Sequence, residues 1–105
     1  MKDKSEYIQY KLQKSAQSIR EARLLLENGL NDTAISRLYY AAFYAINALL
    51  VENGYNPKTH GGTKTIFNKE FILTGRMESR FSDFYSFLMA KRFEADYGLI
   101  NILMC

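Results

Sequence analysis

The chain has 105 residues, a net charge of +3 and a sequence pI near 9.0. That is one domain, with a mildly basic balance that permits contact with phosphates without requiring it. The single cysteine, Cys105, excludes an internal disulfide, and one cysteine with one histidine, His60, argues against a soft-metal site.

The N-terminal "MKDKSEYIQYKLQK" lacks the apolar core of a signal peptide. No unbroken apolar run nears the ~18 residues of a membrane span. A soluble, cytoplasmic chain without metal or other cofactor is expected. Three long segments and one short one carry a helical period. None reads as an alternating strand, so the expected fold is all-α: an up-and-down antiparallel bundle of four main helices in a single domain over residues 1–105.

The first helix is expected from about Lys4 to Glu27. Ile8, Leu12, Ala16, Ile19, Arg23 and Leu26 recur every three or four residues, while Lys11, Lys14 and Arg20 lie mostly elsewhere. Asn28-Gly29 supplies the stop. The second, "NDTAISRLYYAAFYAINALLVENG", begins with Asn31 or Asp32 as a cap. Ile35, Leu38, Ala42, Ile46 and Leu49 form one stripe, and Tyr39, Phe43 and Leu50 widen it until the helix is apolar nearly all round. Such a helix is central. Ala41, Ala42, Ala45 and Ala48 allow other backbones close to it, and Asn53-Gly54 ends it.

"YNPKTHGGTK" reads as a loop, with Pro57 disfavouring helix at Asn56. A short third helix follows from Thr59 or Thr63 and breaks at Thr74-Gly75. The "GGTKT" run lacks the preceding spaced glycine and strand of a P-loop. The fourth helix is expected from near Met77. At ~100° per residue, Tyr85, Leu88, Arg92 and Ala95 fall within about 40° of Phe81, and Phe84 and Asp96 about 60° to either side. Arg92 therefore lies mid-stripe and is expected to face its neighbours. The apolar tail "GLINILMC" calls for a partner surface.

A buried guanidinium must be paired and hydrogen-bonded. One use for Arg92 is a structural ion pair with Asp96 at i+4, which spacing alone favours. Another is a cleft that holds the guanidinium ready for a phosphate. A second polar stripe, Arg37, Tyr40, Tyr44 and Asn47 on the central helix, shifts the balance towards the cleft. Two arginine-bearing stripes converging on one groove suit phosphates and stacked bases. The alternative is that the tyrosines are core residues with satisfied hydroxyls. His60 reads either as a capping residue or as an imidazole offered to a phosphate or proton.

"ISRLYYAAFYAINALLVENG", "KTHGGTKTIFNKEFI" and "RFEADY" together resemble the small prokaryotic branch of the HEPN family (higher eukaryotes and prokaryotes nucleotide-binding), over roughly Lys4 to Tyr97. The resemblance implies a helical bundle, often dimeric and often encoded beside a minimal nucleotidyltransferase in a toxin–antitoxin-like pair. Many such proteins are metal-independent RNases with an arginine, four to six intervening residues and then a histidine. Here Arg92 stands at the arginine position and Tyr97 where the nearest histidine would fall. A phenol of pKa about 10 is a poor base.

The resemblance thus implies an RNA- or nucleotide-binding module, without metal. Arg37, Arg92, Tyr40, Tyr44 and Tyr97 would contact the ligand, Asp96 would orient Arg92, and His60 and Lys64 would line the rim. An RNase using Arg92 with Tyr97 or His60, and a pure protein-interaction subunit, are the alternatives. Relatives of this kind continue into another amphipathic helix where this chain stops at Cys105. An uncovered apolar side, and with it a homodimer, is therefore expected.

Overall fold

The computed structural model describes residues 3–104, with side chains through residue 94. Its elements are α1 (Lys4–Glu27), α2 (Asn31–Glu52), α3 (His60–Phe67), a π-helical turn over Asn68–Ile72, and α4 (Ser79–Met104). Among the described residues there is no strand. The fold is an all-α helical bundle.

Local chemistry accounts for the boundaries. The Asp3 carboxylate caps α1 by accepting from Glu6 N–H at 2.8 Å. After α1, Gly29 takes φ 74°, and Leu30 N–H closes back on the Leu25 carbonyl at 2.9 Å. Gly54, at φ 90°, does the same for α2, with Tyr55 N–H on the Leu50 carbonyl. The expected cap of α2 needs correction: Leu30 occupies the N-cap without a side-chain bond. Asn31 and Asp32 lie inside the first turn, where Asp32 suits the helix dipole. α3 starts at His60 because Thr59 caps it, its Oγ1 accepting from Gly62 N–H at 2.8 Å. α4 begins at Ser79, two residues after Met77.

α2 is the central element. Its length and hydropathy alone would suit a membrane span, but its apolar residues are used against three neighbours. α1 runs antiparallel along one side through a seam of small residues. Ser15, Ser18 and Ala22 are buried there, and Ala34, Ala41 and Ala48 share the facing stripe of α2. Ser15 donates to the Ala41 carbonyl at 2.7 Å, which requires the two backbones to lie close. This overturns the expected inner face of α1. Leu12, Ile19 and Leu26 are 44–49% exposed. Side-chain size decided the packing: serine and alanine permit a closer approach than leucine, and the apolar stripe was left outside.

On its other side α2 buries Tyr39 against Tyr85 and Leu88 of α4, with Ile35, Phe43, Ile46 and Met89 around them. At its C-terminal end, Leu50 packs with Phe67 and Phe71, joined by Tyr55 and Met77. α4 therefore runs back along α2. The expected α4 face is narrower than its apolar stripe. Tyr85 and Leu88 are 2% exposed, but Phe81 and Phe84 are 42% and 57% exposed, because α2 is the long helix that α4 packs against. The tail expected after Tyr97 continues α4 as helix to Met104. Its side chains lie outside the described ones.

Candidate functional site

Three elements bring polar groups to one place beside Tyr39 and Tyr40. α2 contributes Arg37, Tyr40 and Tyr44 at the spacing of one face. α4 contributes Arg92. α3 contributes His60 at its first position, and a buried bond network fixes that position. Asn47 of α2 donates to Thr63 Oγ1 at 3.2 Å, and Thr63 Oγ1 donates to the Thr59 carbonyl at 2.9 Å. The polar residue at the end of the α2 stripe thus holds the α3 N-terminus.

Arg92 is half-buried and faces inward, as its wheel position required. Its guanidinium carbon lies 5.2 Å from the Tyr39 ring centre and 5.5 Å from that of Tyr40. Arg37 lies 4.9 Å from the Tyr40 ring. The two arginines expected to converge therefore meet on one phenol ring. Arg37 also pairs with Glu21 of α1 at 3.8 Å, both side chains being about 40% exposed. Such a pair is worth at most ~1 kcal/mol, so Arg37 can exchange Glu21 for a stronger anion.

His60 is part of this cluster. Its ring stacks on Phe43 at 4.1 Å, and its Nδ1 is 2.6 Å from the Tyr39 hydroxyl, itself 3.5 Å from the Tyr85 hydroxyl. Burial, then the charges of Arg92 and Lys11, hold the imidazole below its ordinary pKa of 6.5, so it is neutral at pH 7. Burial raises both Tyr39 and Tyr85 above the ordinary 10, although Arg92 pulls each down. Both phenols therefore stay protonated, as hydrogen-bonding groups and not as bases.

Sequence reasoning missed two participants. Lys11 had been set on the outer side of α1, but its amino group lies 5.2 Å from the ring of Tyr44. The antiparallel register set by Ser15 and Ala41 puts it there, and that register was not written in the period of α1. Tyr39 read only as core. Its ring is fully buried, and its hydroxyl nonetheless joins α3 to α4. Of the remaining expected residues, Tyr44 neighbours Tyr40, with ring centres 6.2 Å apart. Lys64 is half-buried one turn along α3, and among the described residues its amino group makes no hydrogen bond or ion pair with the cluster. Asp96 and Tyr97 lie outside the described side chains.

Cations over tyrosine rings beside a neutral imidazole form a surface suited to an anion carrying an aromatic group. A family model described as HEPN domain matches residues 8–102. This chain belongs to the HEPN family. Among its HEPN relatives, a UPF0332 protein of Thermotoga maritima is 35% identical over 98 residues, which is 93% of this chain and 74% of that protein. Two proteins of Methanocaldococcus jannaschii that carry the name "Putative toxin" are 34% and 33% identical over 82% and 91% of this chain, and 58% and 72% of their own lengths. The chain thus spans between about half and three quarters of such relatives. No solved structure matches.

Proposed function

We propose that this HEPN chain is an RNA- or nucleotide-binding module, working as a homodimer in a toxin–antitoxin-like or stress-response system with a minimal nucleotidyltransferase as its partner. The observation that carries the binding role is Tyr40 bracketed by Arg37 and Arg92, with neutral His60 beside them. A phosphate would take the two guanidinium forks, and a base would stack on the exposed part of Tyr40 or Tyr44. The names of the jannaschii relatives support the toxin-like setting. The homodimer is supported by Phe81, Phe84, Phe87 and Phe93 on α4, each 42–60% exposed.

A second reading is metal-independent RNA cleavage. It is favoured by His60 reaching the arginine cluster from α3, which supplies an imidazole where the late helix carries Tyr97. In that chemistry the 2′-hydroxyl attacks the adjacent phosphate, and Arg92 steadies the developing charge.

Binding of a labelled oligouridylate at low salt separates these readings. Folded Arg92→Ala that no longer binds supports the module. Cleavage in EDTA that His60→Ala abolishes supports the RNase. Wild-type protein with no RNA or nucleotide affinity refutes both.

A further inference from the structure

We propose that Tyr39 is the positioning residue of this site: its hydroxyl holds His60 in the Nε2–H tautomer, making the imidazole a neutral donor to a phosphate oxygen. This rests on the phosphate-binding reading above and says how the site is prepared for that ligand.

The Tyr39 oxygen lies between two hydrogen-bonding groups, His60 Nδ1 at 2.6 Å and the Tyr85 hydroxyl at 3.5 Å, while the Arg92 guanidinium carbon lies 5.2 Å from the ring centre. A phenol oxygen offers one proton and accepts at two lone-pair sites. Tyr85 is 2% exposed, and among the described residues its hydroxyl meets no acceptor other than the Tyr39 oxygen. The proton of Tyr85 therefore goes to the Tyr39 oxygen. Its own proton then goes to His60 Nδ1, which must be unprotonated to accept it. The reverse assignment, with Nδ1–H donating, sends the Tyr39 proton to Tyr85 and leaves the Tyr85 proton buried without an acceptor.

The charges facing the ring agree. Arg92 from α4 and Lys11 from α1 both oppose an added proton, and α2 presents the uncharged rings of Tyr39, Tyr40 and Phe43. With Nδ1 occupied, Nε2 carries the imidazole proton. That nitrogen donates to a phosphate oxygen, and it cannot take the proton of an attacking 2′-hydroxyl. The tautomer thus favours retention of RNA over its cleavage.

His60 is the chain's single histidine, so a long-range proton–nitrogen NMR spectrum of 15N-labelled protein contains one imidazole. At pH 7.5 the expected spectrum has Nδ1 bare, Nε2 protonated, and a slowly exchanging Tyr39 hydroxyl proton correlated with Nδ1. Tyr39→Phe, shown folded by circular dichroism, should populate both tautomers and titrate at higher pH, because the neutral ring has lost its donor. It should also bind labelled hexauridylate about two- to tenfold more weakly, the range set by one lost hydrogen bond.

A wild-type proton on Nδ1, or one unchanged tautomer in Tyr39→Phe, overturns the proposal whatever the RNA result. Wild-type protein that shows the expected tautomer but no affinity for hexauridylate overturns the ligand role and the binding reading beneath it. If Tyr39→Phe does not fold, the wild-type spectrum decides.

Discussion

Replacing Thr63 tests how the fold delivers His60 to the cluster. Thr63 is 1% exposed and Asn47 is 4% exposed. Thr63→Val preserves shape and helix propensity but removes the acceptor of Asn47 Nδ2, leaving a buried amide N–H unpaired at about 1–3 kcal/mol. The Thr59 carbonyl loses less, because it still accepts from Thr63 N–H at 3.0 Å. Thr63→Ser keeps the hydroxyl and loses one methyl, about 1 kcal/mol. Valine is therefore expected to cost about 2 kcal/mol, a fall in melting temperature of about 8–10 °C for a domain of this size, and serine about half that. Thermal melts followed by circular dichroism at one fixed protein concentration measure both. A valine variant as stable as wild type, with serine the weaker of the two, would show that Thr63 acts by packing and would refute the network.

Three further outcomes follow from the same geometry. Gly61→Ala meets no atom within 4 Å and should stabilise α3 by up to ~1 kcal/mol, whereas a Cβ on Gly62 would lie 2.9 Å from Thr59 Oγ1 and should cost about as much as a lost cap, ~1 kcal/mol; urea unfolding gives the order. Ser15→Leu should overpack the α1–α2 seam by about 1–3 kcal/mol, while Leu12→Ser on the exposed face should change monomer stability little; equal effects would contradict the seam. The depressed pKa of His60 means that the unfolded chain takes up its proton first as pH falls. His60 should thus be neutral in its effect above about pH 6.5 and increasingly destabilise the fold below it, the loss levelling off at its full value once both states are protonated. His60→Gln should flatten that part of the urea midpoint profile, and an unchanged profile would contradict the assignment.

Helix existence was legible because glycine and asparagine punctuate clear periods, and Arg92 was legible as inward because it sits between Leu88 and Tyr85 on the wheel. The inner face of α1 was not. Hydrophobic periodicity marks where apolar residues gather, while the closest helix contact is chosen by small residues, and Ser15, Ser18 and Ala22 carry no hydrophobic signal. The site was half visible. Arg37, Tyr40 and Tyr44 share a face within one helix, so spacing finds them. Lys11 and Tyr39 join only through register and through a hydroxyl that crosses between helices, and neither is local in sequence. His60 needed the Asn47–Thr63 bond, sixteen residues apart, to be brought to the arginines.

The salt dependence of RNA binding tests the central claim most directly. If Arg37, Arg92 and Lys11 each neutralise a phosphate of single-stranded RNA, log affinity should fall with log salt at a slope of about −2, and Arg92→Gln should reduce the slope by about 0.7 along with the affinity. A folded Arg92→Gln protein with the slope and affinity of the wild type would contradict the account.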